Sequence, residues 1–272
     1  MSIVNALPRF GLSRFSPSML TLWRGNPKLF CVRYLKKVRD DSDAPKAWRG
    51  RAVEAGFTHW LYKRDAEQAH AAAMAEWLNS SHDVVSDEFD EIRDMIPDML
   101  DRALEAAAEW PVPTAKQVRV ETWLPDVPAP VIGYADYVWP THVRDLKSTT
   151  KLNADVSDDH ALQMALYLAS DAMRNRIGEL LYVTARKPPP IRLKKDGTPR
   201  KQPERDLAND WKLVQIDAET TERALVDARA TALSLLRFLD HARDADDALG
   251  MLPLNRDHYA WSPKLIEVAE AA

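Results

Sequence analysis

Residues 131–147 read Val131-Ile132-Gly133-Tyr134-Ala135-Asp136-Tyr137-Val138-Trp139-Pro140-Thr141-His142-Val143-Arg144-Asp145-Leu146-Lys147. Two runs rich in β-branched and aromatic residues, Val131 to Trp139 and Val143 to Lys147, flank Trp139-Pro140-Thr141, which has the makings of a tight connection. The pattern predicts an antiparallel hairpin. Side chains two apart on a strand share a face, so Asp145 and Lys147 project together. Pairing around Pro140-Thr141 brings Asp136, on the neighbouring strand, to about the same height. Two carboxylates and an ammonium then converge on one patch.

On the N-terminal side, Trp48 to Tyr62 reads as a helix whose Val53, Phe57, Trp60 and Leu61 form one apolar stripe. Further helices are expected from about Asp65 to Leu78 and from Ser86 to Trp110, the latter kinked or split by Pro97. A strand is expected at Val118 to Leu124. On the C-terminal side come a helix from Ser157 to about Arg174, strands near Leu180 to Ala185 and Trp211 to Ile216, and a long helix from about Ala218 to Ala242. The remaining thirty or so residues read as irregular before a short terminal helix. This order points to α/β or α+β with helix in excess.

The 272 residues, 46% hydrophobic, suffice for the core of one elaborated domain. We read 1–272 as a single catalytic domain with a basic segment at 1–45, a basic loop at 186–205 and an extension at 246–272. The single cysteine, Cys31, excludes an internal disulfide framework and a four-cysteine metal or iron–sulfur site. No apolar run approaches the ~20 residues of a membrane span, and the start lacks the apolar core of a secretory signal. A reducing cytoplasm without membrane association is the expected setting.

The net charge of -4 is unevenly spread. Residues 1–39 hold Arg9, Arg14, Arg24, Lys28, Arg33, Lys36, Lys37 and Arg39 and no acid, about +8 against about -12 elsewhere. Such a run is compatible with a solvated face and, at an N-terminus, with a transit peptide. A second run holds Arg186, Lys187, Arg192, Lys194, Lys195, Arg200, Lys201 and Arg205 against two acids, Asp196 and Glu204. It too is compatible with a solvated face.

Oxygen donors beside a lysine suit a hard cation such as Mg²⁺ or Mn²⁺ and suit zinc poorly. Phosphodiester hydrolysis calls for this inventory: a water that loses a proton near neutral pH, and positive charge where the transition state and leaving alkoxide gain negative charge. A bare D-x-K tripeptide nevertheless recurs by chance, and its place in a series of further segments gives it weight. Arg49-Gly50-Arg51-Ala52-Val53-Glu54-Ala55, Gly133 to Asp136, Asp145-Leu146-Lys147 and Gln163-Met164-Ala165-Leu166-Tyr167 follow one another in that order. Ahead of them stand Ser16-Pro17-Ser18-Met19-Leu20 and Asn26-Pro27-Lys28-Leu29-Phe30. In order and spacing these resemble the motifs of the PD-(D/E)XK nuclease superfamily, especially its RecB-like and phage exonuclease branch.

The resemblance implies an α/β fold with a mixed central β-sheet flanked by helices, a restriction-endonuclease-like core with helical additions. It implies that Glu54, Asp136 and Asp145 ligate Mg²⁺ or Mn²⁺ together with the main-chain carbonyl of Leu146, and that Lys147 positions water and offsets transition-state charge. Gln163 and Tyr167, four apart and so on one helix face, would abut the site; ordinary helix packing is the alternative for this pair. The implied activity is metal-dependent hydrolysis of DNA, as an exonuclease of phage or bacterial recombination or repair. A single-strand annealing or recombination protein would be a fitting partner. A structure-specific or nicking endonuclease and a non-catalytic DNA-binding module are the alternatives. In this context the 186–205 basic residues become candidates for a DNA-backbone clamp that does not read bases. Some relatives carry a cysteine where this chain has Asn26, and Asn255 to Trp261 has none either, so the iron–sulfur cluster of those relatives is not expected. No P-loop or nucleophile elbow occurs, and His59, close to Glu54, reads as a packing residue.

Overall fold

The computed structural model describes residues 5–38, 45–81, 87–150, 152, 155–185, 211–257 and 261–271. After a short 3₁₀ turn, helices α1 (Pro17–Gly25) and α2 (Pro27–Phe30) run into a π-helical turn at Cys31–Leu35. Then come α3 (Pro45–Lys63), α4 (Ala66–Ser81), α5 (Asp87–Arg93) and α6 (Ile96–Ala106). Pro97 sits in the first turn of α6, where its missing N–H costs nothing, and the expected long helix is divided there. Strands β1 (Ala115–Thr122), β2 (Val131–Val138) and β3 (His142–Thr149) precede α7 (Asp158–Leu168), β4 (Ile177–Thr184) and β5 (Trp211–Ile216). Helices α8 (Ala218–His241), α9 (Ala245–Gly250) and α10 (Pro263–Glu270) follow. The C-terminal stretch is thus more helical than its sequence suggests. In turn, α7 stops at Leu168, short of the expected Arg174, and gives way to a 3₁₀ turn.

The described strands form one mixed sheet in the order β1-β2-β3-β4-β5, flanked by helices as expected. β1, β2 and β3 make an antiparallel meander, β4 joins β3 in parallel through the α7 crossover, and β5 is antiparallel to β4. The hairpin of β2 and β3 pairs only at Tyr137↔Arg144 and Val138↔Val143. Continuing that register by one step sets Asp136 opposite Asp145, where the ladder ends.

On one side of the sheet, Val53, Phe57 and Leu61 of α3 are buried with Trp77, Met99 and Leu100. Trp60, the fourth member of the expected stripe, is only half-buried, with the Arg64 guanidinium 4.1 Å from its ring centroid. Gly56 is the reason α3 and α4 can approach: a β-carbon there would lie 2.7 Å from the Ala69 carbonyl and 2.9 Å from Ala73 Cβ.

The basic N-terminal segment contributes to a core rather than only to a solvated face. Leu20, Leu29, Phe30 and Val32 are buried in one cluster with Leu235, Leu236 and Leu239 of α8 and Leu265 of α10. Several of its cations have partners within the chain: Arg9 donates to the Leu239 carbonyl at 2.7 Å, Arg24 meets Asp159 at 2.5 Å and Lys36 meets Asp246 at 2.7 Å. Asn26, 2% exposed, caps α2 by accepting from the Leu29 amide at 3.0 Å and donates to the Asn255 carbonyl at 3.0 Å. The Asn26 amide therefore ties α2 to the chain at Asn255. Asn26→Ala removes a helix cap and leaves the buried Leu29 amide without its side-chain acceptor, so we expect a loss of about 1–3 kcal/mol in stability. Thermal or urea unfolding measures it, and a change under about 0.3 kcal/mol would contradict this account of the tie.

Candidate active site

The end of the β2/β3 ladder opens beneath α3 and α7. Tyr137 fixes α3 over the hairpin: its hydroxyl lies 2.7 Å from Thr58 Oγ1, and its ring meets Phe57 edge-on at 5.5 Å. Glu54, one turn before Thr58, is thereby held over β2. Behind the hairpin, Arg144 pairs with Glu179 at 2.5 Å, and its guanidinium lies 3.9 Å from the Trp110 ring centroid and 4.8 Å from that of Trp139. This locks β3 to β4 beside Asp145.

Glu54, Asp136, Lys147, Gln163 and Tyr167 line one cleft of about 620 Å³. Asp145 lies beneath them, 1% exposed. Its Oδ2 is 2.5 Å from Lys147 Nζ, and its Oδ1 is 3.5 Å from Gln163 Nε2. Lys147 Nζ donates to Gln163 Oε1 at 3.0 Å, and Gln163 Nε2 donates to the Tyr167 hydroxyl at 2.6 Å. The helical pair Gln163 and Tyr167 is thus joined directly to the Asp145–Lys147 pair. Gly133 permits this packing, since a β-carbon there would lie 2.6 Å from Tyr167 Cε1. His59 is not among the residues lining the cleft.

Several residues to which the sequence assigned no place in the site stand in the same walls. Arg14, Ser16, Ser18 and Thr21 enter because Phe15 bridges Val131 and so fixes the N-terminal segment beside β2. The S-x-S motif was recognisable, but its place in the cleft depends on that long-range bridge. His160 lines the wall as well and shares a 2.9 Å hydrogen bond with the Tyr182 hydroxyl. Burial and then the Lys147 charge push it down to about 4, so its ring is neutral near pH 7. Gln117 of β1 donates from Nε2 to Glu54 Oε1 at 3.2 Å and to Asp136 Oδ1 at 3.0 Å. The residues 186–205 proposed as a clamp lie outside the described residues.

Crowding of acids dominates the electrostatics. Burial, Asp145 and Glu54 hold Asp136 well above the usual carboxylate range, and burial and Asp145 raise Glu54. Burial would raise Asp145 too, but the adjacent Lys147 charge and then a proton shared by Asp136 hold it below that range. For Lys147 burial favours the neutral form, yet Asp145 and the other carboxylates keep it protonated. Three carboxylates thus share one ammonium.

This donor set fits a hard divalent cation. It is all oxygen, and Asp145 Oδ2, although beside Lys147 Nζ, is buried without a properly directed hydrogen bond. Among the described residues no three His, Cys, Asp or Glu side chains already converge in metal-binding geometry. The oxygens are turned instead onto the Gln117 amide and the Lys147 ammonium, and rotation of the outer side chains is what would gather them. A larger cavity of about 730 Å³, walled by Leu168, Ile177, Leu225 and Val226, has no such convergence of carboxylates, and we place the chemistry in the smaller cleft.

Comparison with known proteins gives a concordant picture. A family model described as the PD-(D/E)XK nuclease superfamily matches residues 14–247. A search of curated proteins finds no match. Among solved structures, a crystal structure provisionally designated an exonuclease, from Eubacterium rectale, superposes with a TM-score of 0.56 at 12% identity, covering 94% of this chain and 88% of that one. It supports the fold. A second structure, SSO0001, has a TM-score of 0.31 at 15% identity over 92% of this chain and 95% of that one, and is too distant to inform the fold. Among the described residues no helix is long and apolar enough to cross a membrane.

Proposed function

Because the chain belongs to the PD-(D/E)XK nuclease superfamily, whose members generally use divalent metals, we propose that it is a Mg²⁺- or Mn²⁺-dependent deoxyribonuclease working from the cleft between α3, α7 and the β2/β3 hairpin. One observation carries this reading: a buried Asp145–Lys147 pair, held by Gln163, lies beside two further carboxylates that resist ionisation. Glu54, Asp136, Asp145 and the main-chain carbonyl of Leu146 would hold the ion. When bound, the ion supplies an acidified water and neutralises charge on the phosphate.

The protein's own groups do the rest. Lys147 keeps its proton and offers an N–H and a full positive charge to the developing phosphate oxyanion. Gln163 fixes Lys147 through Oε1 and is itself fixed by Tyr167, so the ammonium is aimed before substrate arrives. Neutral His160, hydrogen-bonded to Tyr182, adds no charge to oppose the ammonium. The Q-x-x-x-Y pair supports the RecB-like branch, and with it an exonuclease of recombination or repair. Incubating end-labelled linear and covalently closed circular DNA with Mg²⁺ or with EDTA tests this directly. Mononucleotides from linear DNA alone, lost in EDTA, are expected; nicked circles would make it an endonuclease, and no cleavage of either would overturn the activity.

Two further results are expected. Asp136 and Glu54 sit above their ordinary values, so they are more protonated in the metal-free folded chain than when unfolded, and its stability falls as pH rises from the ordinary carboxylate range toward the raised one. Cation binding needs both ionised, so it should release protons and tighten as pH rises. Calorimetry of Ca²⁺ binding in two buffers of different ionisation enthalpy reads the proton count, and zero release would contradict the coupling. The second result concerns the 186–205 run. Replacing Lys194, Lys195, Arg200 and Lys201 with Ser should flatten the salt dependence of DNA affinity, measured in Ca²⁺, by about 3 to 4 in slope, about 0.9 per lost phosphate contact. An unchanged slope would assign the run to solvent and leave the clamp to the N-terminal cations.

A further inference from the structure

Gln117 combines two observations that the catalytic account leaves unused. The flanking pairs Lys116↔Tyr137 and Val118↔Ala135 put it directly across β1 and β2 from Asp136, yet these two residues are missing from the ladder. The cause lies in the backbone. Gln117 has φ 49, the left-handed region, which is strained for a residue with a β-carbon and rare inside a strand. Nothing in a regular edge strand requires this. What it accompanies is the placing of one side-chain nitrogen, Nε2, at 3.2 Å from Glu54 Oε1 and 3.0 Å from Asp136 Oδ1.

A primary amide carries an oxygen as well as a nitrogen on the same carbon, so half a turn about its last torsion exchanges them. The reach that delivers a donor to two carboxylates can therefore deliver an acceptor oxygen to a cation shared by them. An amide oxygen is also a fitting neutral ligand for Mg²⁺ or Mn²⁺, whose preference is for hard oxygen. Residues held in a costly conformation concentrate where geometry is functional, and here the cost is borne by the residue that touches both acids.

We propose that Gln117 is a further member of the cation site, its Nε2 holding Glu54 and Asp136 together in the metal-free protein and its Oε1 turning to the ion when those carboxylates bind it. This rests on the nuclease reading of the same carboxylates, and it adds a residue that lies outside every recognised motif of the chain.

The test is calorimetric titration of the full chain with Ca²⁺, which reads affinity without turnover. Wild type is compared with Gln117→Met, which keeps the size but has no hard oxygen, and with Gln117→Asn, which keeps the amide but falls one methylene short. Asn adopts left-handed φ more readily than most residues, so the second variant guards against misfolding of the first. Both should bind Ca²⁺ at least roughly 10-fold more weakly than wild type, with unchanged circular dichroism. Unchanged affinity in either folded variant would overturn the proposal, and so would tighter binding, the signature of an amide that only competes with the ion. Failure of wild type itself to bind Ca²⁺ or Mn²⁺ would overturn the nuclease reading beneath it as well.

Discussion

We expect Lys147→Met and Asp145→Asn each to slow DNA cleavage by at least roughly 10²-fold, because each removes a charge that the proposed reaction needs at a fixed place. The two variants differ in what they do to the fold. Asp145 is 1% exposed and Lys147 only 19% exposed at its side chain, so neither charge can be removed without consequence for the fold. Lys147→Met therefore strands a buried carboxylate, an event that typically costs about 3–5 kcal/mol, although the proton shared with Asp136 softens it here. Asp145→Asn keeps the shape and strands the lysine. The double variant removes both charges, so it should recover stability relative to Lys147→Met while remaining inactive. Unfolding midpoints and single-turnover rates on the three proteins separate these effects. Activity within a few-fold of wild type in either single variant, still sensitive to EDTA, would remove this pair from the mechanism.

Gly133→Ala is the second large effect. The added methyl would lie 2.6 Å from Tyr167 Cε1, far inside contact distance, and the ring is 3% exposed with little room to retreat. Overpacking of this kind costs about 1–3 kcal/mol. Any shift of the ring moves the hydroxyl that accepts from Gln163, and Gln163 in turn holds Lys147. Cleavage should fall roughly 10-fold or more, since small displacements of positioning groups are costly. Adding Tyr167→Leu to Gly133→Ala removes the ring and should restore stability but not rate. If Gly133→Ala is as stable and active as wild type, the chain of contacts from Gly133 to Lys147 does not position the ammonium.

The central elements were legible because they rest on local signals. The hairpin followed from two β-rich runs around Pro140, and α3 from the spacing of Val53, Phe57 and Leu61. The juxtaposition of Asp136 with Asp145 followed from the same hairpin register. The N-terminal segment was harder, since its charges drew attention to its surface while Leu20, Leu29 and Phe30 complete their burial only against α8 and α10, some two hundred residues away. Gln117 carried no signal at all. Its contact with Asp136 needs the pairing of β1 with β2 across the 123–130 connection, and its left-handed backbone is a tertiary imposition on a strand-like sequence. The shortening of α7 is of the same kind: Ala169 and Ser170 are acceptable in a helix, but the turn before β4 must bring Ile177 alongside His142 for the parallel pairing.

The most direct test of the central claim is anomalous diffraction from crystals of the full chain grown with Mn²⁺. A manganese peak within ligand distance of Glu54, Asp136 and Asp145 carboxylate oxygens, about 2.0–2.3 Å, is the expected result. A protein that cleaves DNA in Mn²⁺ yet shows its manganese elsewhere, or none at these three carboxylates, would contradict it.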